Sequence, residues 1–275
     1  MNLRQNKQGI ILTLKLDENS ILRDMKTRWL GRSLVILEEC GSTSDALKDM
    51  ADEAPHGLVL IAESQTSGRG RLGRTWYSAR GGIWLSILLK DQKLLPFLSA
   101  LPLVGALAIA KPLEEKWGVR ARVRWPNDVV VGRRKLAGVL VESTSKGNEL
   151  LYVILGMGIN ANFDPTKIAR ISRTSTSLLT LLGRAVNRED LITLILFETE
   201  KMYESLRASE EEDLVGQLKE LDWSRGKGVK VTTADREIVG IVDDYESLSK
   251  VRIRTRDGLE SLDTSALVSV DYQSD

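Results

Sequence analysis

Along residues 83–89 the chain alternates: Ile83, Leu85, Ile87 and Leu89 fall on one side, with Trp84 and Leu88 between them. Period two over seven residues predicts a strand. Short apolar runs at 34–39 and 58–62 predict two more. Between those runs "GSTSDALKDMADEA" changes to a helical period, with Ala46, Leu47 and Met50 marking one apolar face and Ser42 and Asp45 resembling a capping box. A long apolar segment over 96–117 predicts a buried helix, with a kink expected at Pro112. Strands are expected at 119–125, 129–131 and 139–141, the last two around the basic turn 132–135, and again over 150–162. Helices follow at 188–208 and in a short stretch ending near Leu221. From residue 229 the pattern becomes short alternating strands, "VKV", "EIVGIVDDY", "VRIRT", "LESLD" and "LVSVD".

This order predicts an α+β chain in three parts. Residues 1–30 form an N-terminal extension of one or two short helices. Residues 31–222 form a mixed β-sheet catalytic domain flanked by helices. Residues 223–275 form a small SH3-like β-barrel.

Composition narrows the function. The chain has 275 residues, 42% hydrophobic and 28% charged, with 39 basic against 38 acidic residues and a net charge of +1. That balance creates no global field for nucleic acid or an anionic membrane. Its basic residues cluster locally, which points to small anionic ligands. One cysteine, Cys40, excludes an intramolecular disulfide, and one histidine, His56, leaves no His/Cys zinc cluster. His56 lies in a turn between a helix and a strand and is expected to be structural. The start carries no apolar signal segment, and the longest uncharged apolar stretch, 96–110, is too short to span a bilayer. A cytoplasmic enzyme is expected.

The segment "ESQTSGRGRLGRTW" (63–76) holds G-x-G-x-x-G at Gly68, Gly70 and Gly73. A dinucleotide-binding fold needs a helix to begin at such a loop, so that its N-terminus faces the pyrophosphate. Here a second strand follows. A kinase loop is also strand–loop–strand, but this chain lacks its valine, H-R-D and D-F-G. The informative residues are the interleaved arginines, Arg69, Arg71 and Arg74. Their planar forks grip phosphate or carboxylate in two places, and the glycines admit backbone N–H groups close to an anion.

Four segments, "GSTSDA" (41–46), the glycine loop, "RWPNDVVVGRRKLAGVLVE" (124–142) and "LGMGINAN" (155–162), stand in an order and spacing that resemble the biotin protein ligases. The resemblance runs from about Leu30 to the end of the chain. It implies a class II synthetase-like, lipoate ligase-like fold. It also implies ATP, Mg²⁺ and biotin as substrates and cofactors, with a biotin carboxyl carrier protein as partner, no nucleic acid and no membrane. Monomers, or homodimers formed along the sheet, are both known in the family. About 30 residues precede the core, fewer than a DNA-binding helix-turn-helix domain needs.

Residue by residue, the resemblance implies that Ser42 and Thr43 hydrogen-bond biotin's ureido ring. Ser44 follows where the family usually shows Asn. Gln65 lines the biotin pocket. Gly68, Arg69, Gly70 and Arg71 close over biotin and the adenylate, with Arg71 and Arg74 nearest the phosphates. Trp76 stacks near the adenine. Lys135 contacts biotin's carboxylate and the α-phosphate, and Gly138 packs against biotin. Asn127 belongs with the nucleotide and Asp128 with the metal, and Asn160 reads the adenine edge. Arg133 and Arg134 read as surface charges. The rival within the fold is a lipoate or octanoate ligase, and the rival outside it is a biotin-responsive DNA-binding repressor.

Overall fold

The computed structural model describes residues 15–273. Helix α1 (Glu18–Asp24) is capped by the Asp17 side chain, which accepts from the Asn19 N–H. Strand β1 (Leu34–Cys40) pairs in parallel with β2 (Val59–Gln65) across helix α2 (Thr43–Met50). Strand β3 (Ile83–Leu89) runs antiparallel to β2. The long helix α3 (Leu101–Trp117) is almost wholly buried and begins after a separate 3₁₀ turn at Gln92–Phe97, not at residue 96. It continues through Pro112 and ends on Gly118, whose φ of +64° closes the helix.

Strands β4 (Arg122–Arg124), β5 (Asp128–Val131), β6 (Arg134–Lys146) and β7 (Glu149–Ile159) complete a seven-stranded sheet of order β1-β2-β3-β7-β6-β5-β4. Beyond it lie α4 (Leu178–Leu182), α5 (Arg188–Arg207) and α6 (Glu211–Leu221). One face of the sheet packs on α3, and α3 packs on α5, so the main core lies between sheet and helices. A smaller core around Leu47, Leu60, Leu88 and Ile154 holds α2 on the other face. Mixed pairing, with both faces covered, is what the long apolar strands require.

The second sheet is antiparallel, of order β11-β10-β9-β8-β12, from β8 (Gly228–Thr233), β9 (Glu237–Tyr245), β10 (Lys250–Arg254), β11 (Leu259–Asp263) and β12 (Leu267–Tyr272). Its size and strand order are consistent with the SH3-like unit expected from sequence. Its end strands β11 and β12 are not paired with each other, so the ladder does not close into a barrel.

Two local expectations are corrected. The capping box does not form: Ser42 is the N-cap, but its hydroxyl makes no cap bond, and the Asp45 carboxylate goes to Arg69 instead. Helix α2 also turns Thr43, Ser44 and Leu47 inward, while Met50 is 39% exposed. Of residues 1–30, those before residue 15 lie outside the described part. In the rest, Leu16, Ile21, Met25 and Leu30 are buried in the main core. The Glu200 carboxylate on α5 accepts the N–H groups of Arg28, Trp29 and Leu30 at 2.8–2.9 Å. Among the described residues no helix is long and apolar enough to cross a membrane.

Candidate active site

A cleft of about 520 Å³ opens over the middle of the large sheet, within the size range of small-molecule sites. It brings together residues from α2, the glycine loop, β3, β5, β6, β7 and β12. Its buried end is lined with hydroxyls. The start of α2 delivers Ser42, Thr43 and Ser44, each buried, and β3 adds Ser86. At the end of β2, Gln65 accepts the Thr43 N–H at 2.8 Å and donates through Nε2 to Ser78 at 2.7 Å. The β2 carboxylate two residues earlier, Glu63, lies in a buried ion pair with Arg188 at 2.8 Å. Arg188 also donates to the Gly82 carbonyl, and Glu63 accepts the Leu16 N–H. The root of the glycine loop is thus held to α5 and to the N-terminal segment.

The centre of the cleft is made by small residues. The Trp76 indole lies across the sheet over Gly138 and Gly158. A Cβ at Gly158 would stand 2.6 Å from Trp76 Nε1, and one at Gly138 would stand 3.0 Å from the ring. Glycine at 158 is therefore a steric requirement for the indole, whereas a side chain at 138 would make the ring and the Lys135 side chain give by a few tenths of an ångström. Trp76 Nε1 is buried against Gly158 and has no hydrogen-bond partner among the described residues. Lys135 Nζ stands 4.9 Å above the ring centroid, close enough for a cation–π contact.

The open end is cationic. Lys135 Nζ is 2.5 Å from Asp128 Oδ1, and Arg124 donates to Asp128 Oδ2 at 2.7 Å. Arg124 in turn lies 5.8–5.9 Å from the rings of Trp223 and Tyr272. Tyr272 donates to the Trp125 carbonyl at 2.8 Å, and burial pushes its phenol well above the ordinary value. The small sheet therefore forms one wall of the cleft through β12. Arg71 reaches the Leu267 carbonyl of β12 at 3.4 Å, and burial pulls its guanidinium below the ordinary arginine value. Between them, Leu72 at φ +59° is 56% exposed at the loop tip, and Arg74 is exposed.

Every residue expected to bind lies in or beside this cleft, but several are engaged with protein partners. Arg69 makes a two-pronged ion pair with Asp45 and also approaches Glu142 at 3.5 Å. The Arg69 guanidinium holds the Asp45 carboxyl below the usual carboxylate range. Asn127 donates to the Val139 carbonyl, and Asn160 donates to the Thr176 carbonyl, so both amides also brace the backbone. Gly68 packs under the Trp76 carbonyl, where a Cβ would come within 2.5 Å. Arg133 and Arg134 are exposed, as expected. His56 stacks on Trp29 and accepts the Lys90 N–H at 2.9 Å, a structural role.

The sequence alone does not single out Ser86, Arg124 or the Glu63–Arg188 pair as contributors. Ser86 did leave a signal, a lone hydroxyl inside "IWLSILL". The Glu63–Arg188 pair, and Arg124 beside Trp223 and Tyr272, join residues too far apart in the chain to be paired by pattern, whereas Arg124 and Asp128 are only four apart. As for metal, among the described residues no cluster of three acidic, histidine or cysteine side chains could hold an ion. Asp128 alone, already shared with two cations, fits a magnesium ion carried on nucleotide phosphates and not one caged by protein.

The cleft thus combines a hydroxyl-lined end with a cationic, glycine-loop end on one mixed sheet. The sequence profile of the biotin/lipoate A/B protein ligase family matches residues 38–160. The biotin–[acetyl-CoA-carboxylase] ligase of Mycobacterium tuberculosis is 31% identical over 245 residues, 86% of this chain and 89% of that protein. The bifunctional ligase/repressor BirA of Bacillus subtilis is 33% identical over 192 residues, 69% of this chain. The chain spans 59% of the length of that relative. Among solved structures, the biotin protein ligase of Aquifex aeolicus in complex with biotin and ATP superposes with a TM-score of 0.78 at 28% identity, over 88% of this chain and all of that one. The chain belongs to the biotin protein ligase family.

Proposed function

We propose that this chain activates biotin with ATP and passes it to a lysine of a biotin carboxyl carrier protein. In the first step a biotin carboxylate oxygen attacks the α-phosphorus of ATP, and pyrophosphate leaves. In the second the lysine amine attacks the acyl carbonyl of biotinyl-5′-AMP, and AMP leaves. The observation that carries this reading is the polarity of the cleft, with buried hydroxyls at one end and Lys135, Arg71 and Arg124 at the other. An acid with a polar head fits the closed end and delivers its carboxylate to the cations.

The roles follow from chemistry. Two anions must meet, and charge gathers on the α-phosphate oxygens in the transition state. Lys135, held beside Asp128, supplies a compact positive charge there, and Arg71 supplies a second from the loop. Ser42, Thr43 and Gln65 take the ureido ring. Gly138 and Gly158 keep the sheet low beneath the ligand, and Trp76 lines the nucleotide side with Asn160. Arg74 and Arg69 belong to the loop, which shields the mixed anhydride from water when closed. Magnesium, brought with the nucleotide beside Asp128, would neutralise phosphate charge. The reading implies a cytoplasmic setting, where ATP is found.

The test is direct. Incubation with a biotin carrier domain, ATP, Mg²⁺ and biotin is expected to raise the carrier's mass by one biotinyl group. Lipoate or octanoate in place of biotin is expected to leave it unchanged, and labelling by those acids instead would favour the lipoate ligase reading. A gel shift with biotin-operator DNA is expected to show no complex.

A further inference from the structure

One side chain at the closed end of the cleft has no role in the account above. Ser86 lies in the middle of β3 and is fully buried, 0% exposed. Its Oγ is 2.8 Å from Thr43 Oγ1 and 3.2 Å from Ser44 Oγ. The direction of the protons in this group is set from its far end. The Thr43 N–H can only donate, so the Gln65 amide atom 2.8 Å away is oxygen. The Thr43 hydroxyl meets the same oxygen at 3.2 Å. A carboxamide oxygen donates nothing, so the Thr43 proton belongs there; any other order leaves two oxygens facing each other. Ser86 must then donate to Thr43, and Ser44 to Ser86. The chain continues from Gln65 Nε2 to Ser78 at 2.7 Å, and from Ser78 to the Trp76 carbonyl at 3.3 Å. All the protons run one way, from α2 to the end of the glycine loop, an order in which each bond polarises the next.

The consequence concerns what the cleft offers a ligand. The protons of Thr43 and Ser44 are both committed to the protein. Both residues line the cleft, where their hydroxyls are left only as acceptors, and they suit a head group that carries N–H donors.

We propose that Ser86 is a positioning residue for acid selection. By receiving the Ser44 proton and donating to Thr43, it fixes both hydroxyls as acceptors for ring N–H groups. It thereby favours a cyclic-urea acid over one ending in a dithiolane or an alkyl chain. The proposal rests on the biotin reading above. Without Ser86 the Ser44 proton has no inward acceptor and turns toward the ligand, where donor faces donor, a mismatch costly in a buried site.

The experiment is acid-dependent ATP–pyrophosphate exchange with biotin, desthiobiotin, lipoate and octanoate, for the wild type, Ser86→Ala and Ser86→Cys. The thiol keeps the size of the hydroxyl but is a weak donor. Both variants are expected to raise KM for biotin and desthiobiotin about tenfold. Their kcat and their KM for ATP are expected to stay within about twofold, and the preference for biotin over lipoate and octanoate to fall by the same factor as biotin binding. If Ser86→Ala fails to fold, Ser86→Cys decides alone. An unchanged KM for biotin in an active variant overturns the role of Ser86. So does a loss shared equally by kcat and the KM for ATP, the mark of general damage. A wild type without biotin-dependent exchange overturns the ligase reading itself, and this proposal with it.

Discussion

The two ends of the cleft are built in opposite ways. At the hydroxyl end Thr43, Ser86 and Gln65 sit on or against sheet strands and are bonded to one another, with Thr43 and Ser86 buried and Gln65 half-buried. Just behind them the Glu63–Arg188 pair, with side chains only 2–3% exposed, ties the loop root to α5. At the glycine loop the residues from Leu72 to Thr75 are exposed, Leu72 has a positive φ, and Arg71 holds one carbonyl of the small sheet at 3.4 Å. A buried, fully bonded polar group is rigid because every alternative leaves a donor or acceptor unmet. An exposed, glycine-rich loop with few apolar contacts lies at the low-stability end of a fold. The comparison teaches a division of labour: in the proposed reaction, recognition of the acid needs fixed hydroxyls, whereas admitting ATP and then excluding water would need a segment that moves.

The division can be broken most forcefully at its rigid side. Glu63→Ala takes the carboxylate away from a buried guanidinium. It is expected to cost about 3–5 kcal/mol and to lower Tm by roughly 10 °C, measured by calorimetry; a shift of under ~2 °C would show that the loop root does not depend on this pair. Lys135→Ala is expected to slow ATP–pyrophosphate exchange by about 10²–10³-fold with Tm nearly unchanged. An undiminished exchange rate would remove Lys135 from the first step. Arg71→Ala acts on the mobile side. It is expected to leave folding intact and to speed escape of biotinyl-5′-AMP on the order of tenfold, followed by release from the filtered enzyme; retention like the wild type would deny the loop its shielding role.

The smallest effect is expected where the two sides meet, at Asp45 and Arg69. Because Arg69 lowers the Asp45 carboxyl in the folded chain, the contribution is complete above the ordinary carboxylate range. It fades as pH falls through the lower folded value. Asp45→Asn is expected to reduce Tm by about 1–2 °C at neutral pH and by progressively less as pH falls below the ordinary carboxylate range. A difference that persisted in acid would assign the effect to helix α2 itself.

Legibility followed physical range. The strands β2 and β3, helix α5 and the five short C-terminal strands are written in local periodicity, and each was placed within a few residues. The capping box failed because a nearer-ideal partner competed: Arg69, 24 positions along the chain, took Asp45 from the helix N-terminus. Met50 was assigned to the apolar face of α2, but the helix is oriented by Leu47 and by the hydroxyls of Thr43 and Ser44, which go to the cleft. Ser86 was visible as a polar break in an apolar strand, yet its meaning depended on facing α2.

By itself, then, the sequence determined the element types, the glycine-and-arginine loop between two strands, and the family whose motifs carry acid activation. All of these depend on residues close together in the chain, where spacing alone constrains geometry. Only the tertiary structure decided that Lys135 stands over Trp76 beside Asp128, that β12 of the small sheet walls the cleft, and that Gly158 is needed beneath an indole. It also set the direction of the hydroxyl chain from Ser44 to Trp76. Most of those relations join residues tens to more than a hundred positions apart, and packing and hydrogen-bond satisfaction, not local periodicity, bring them together.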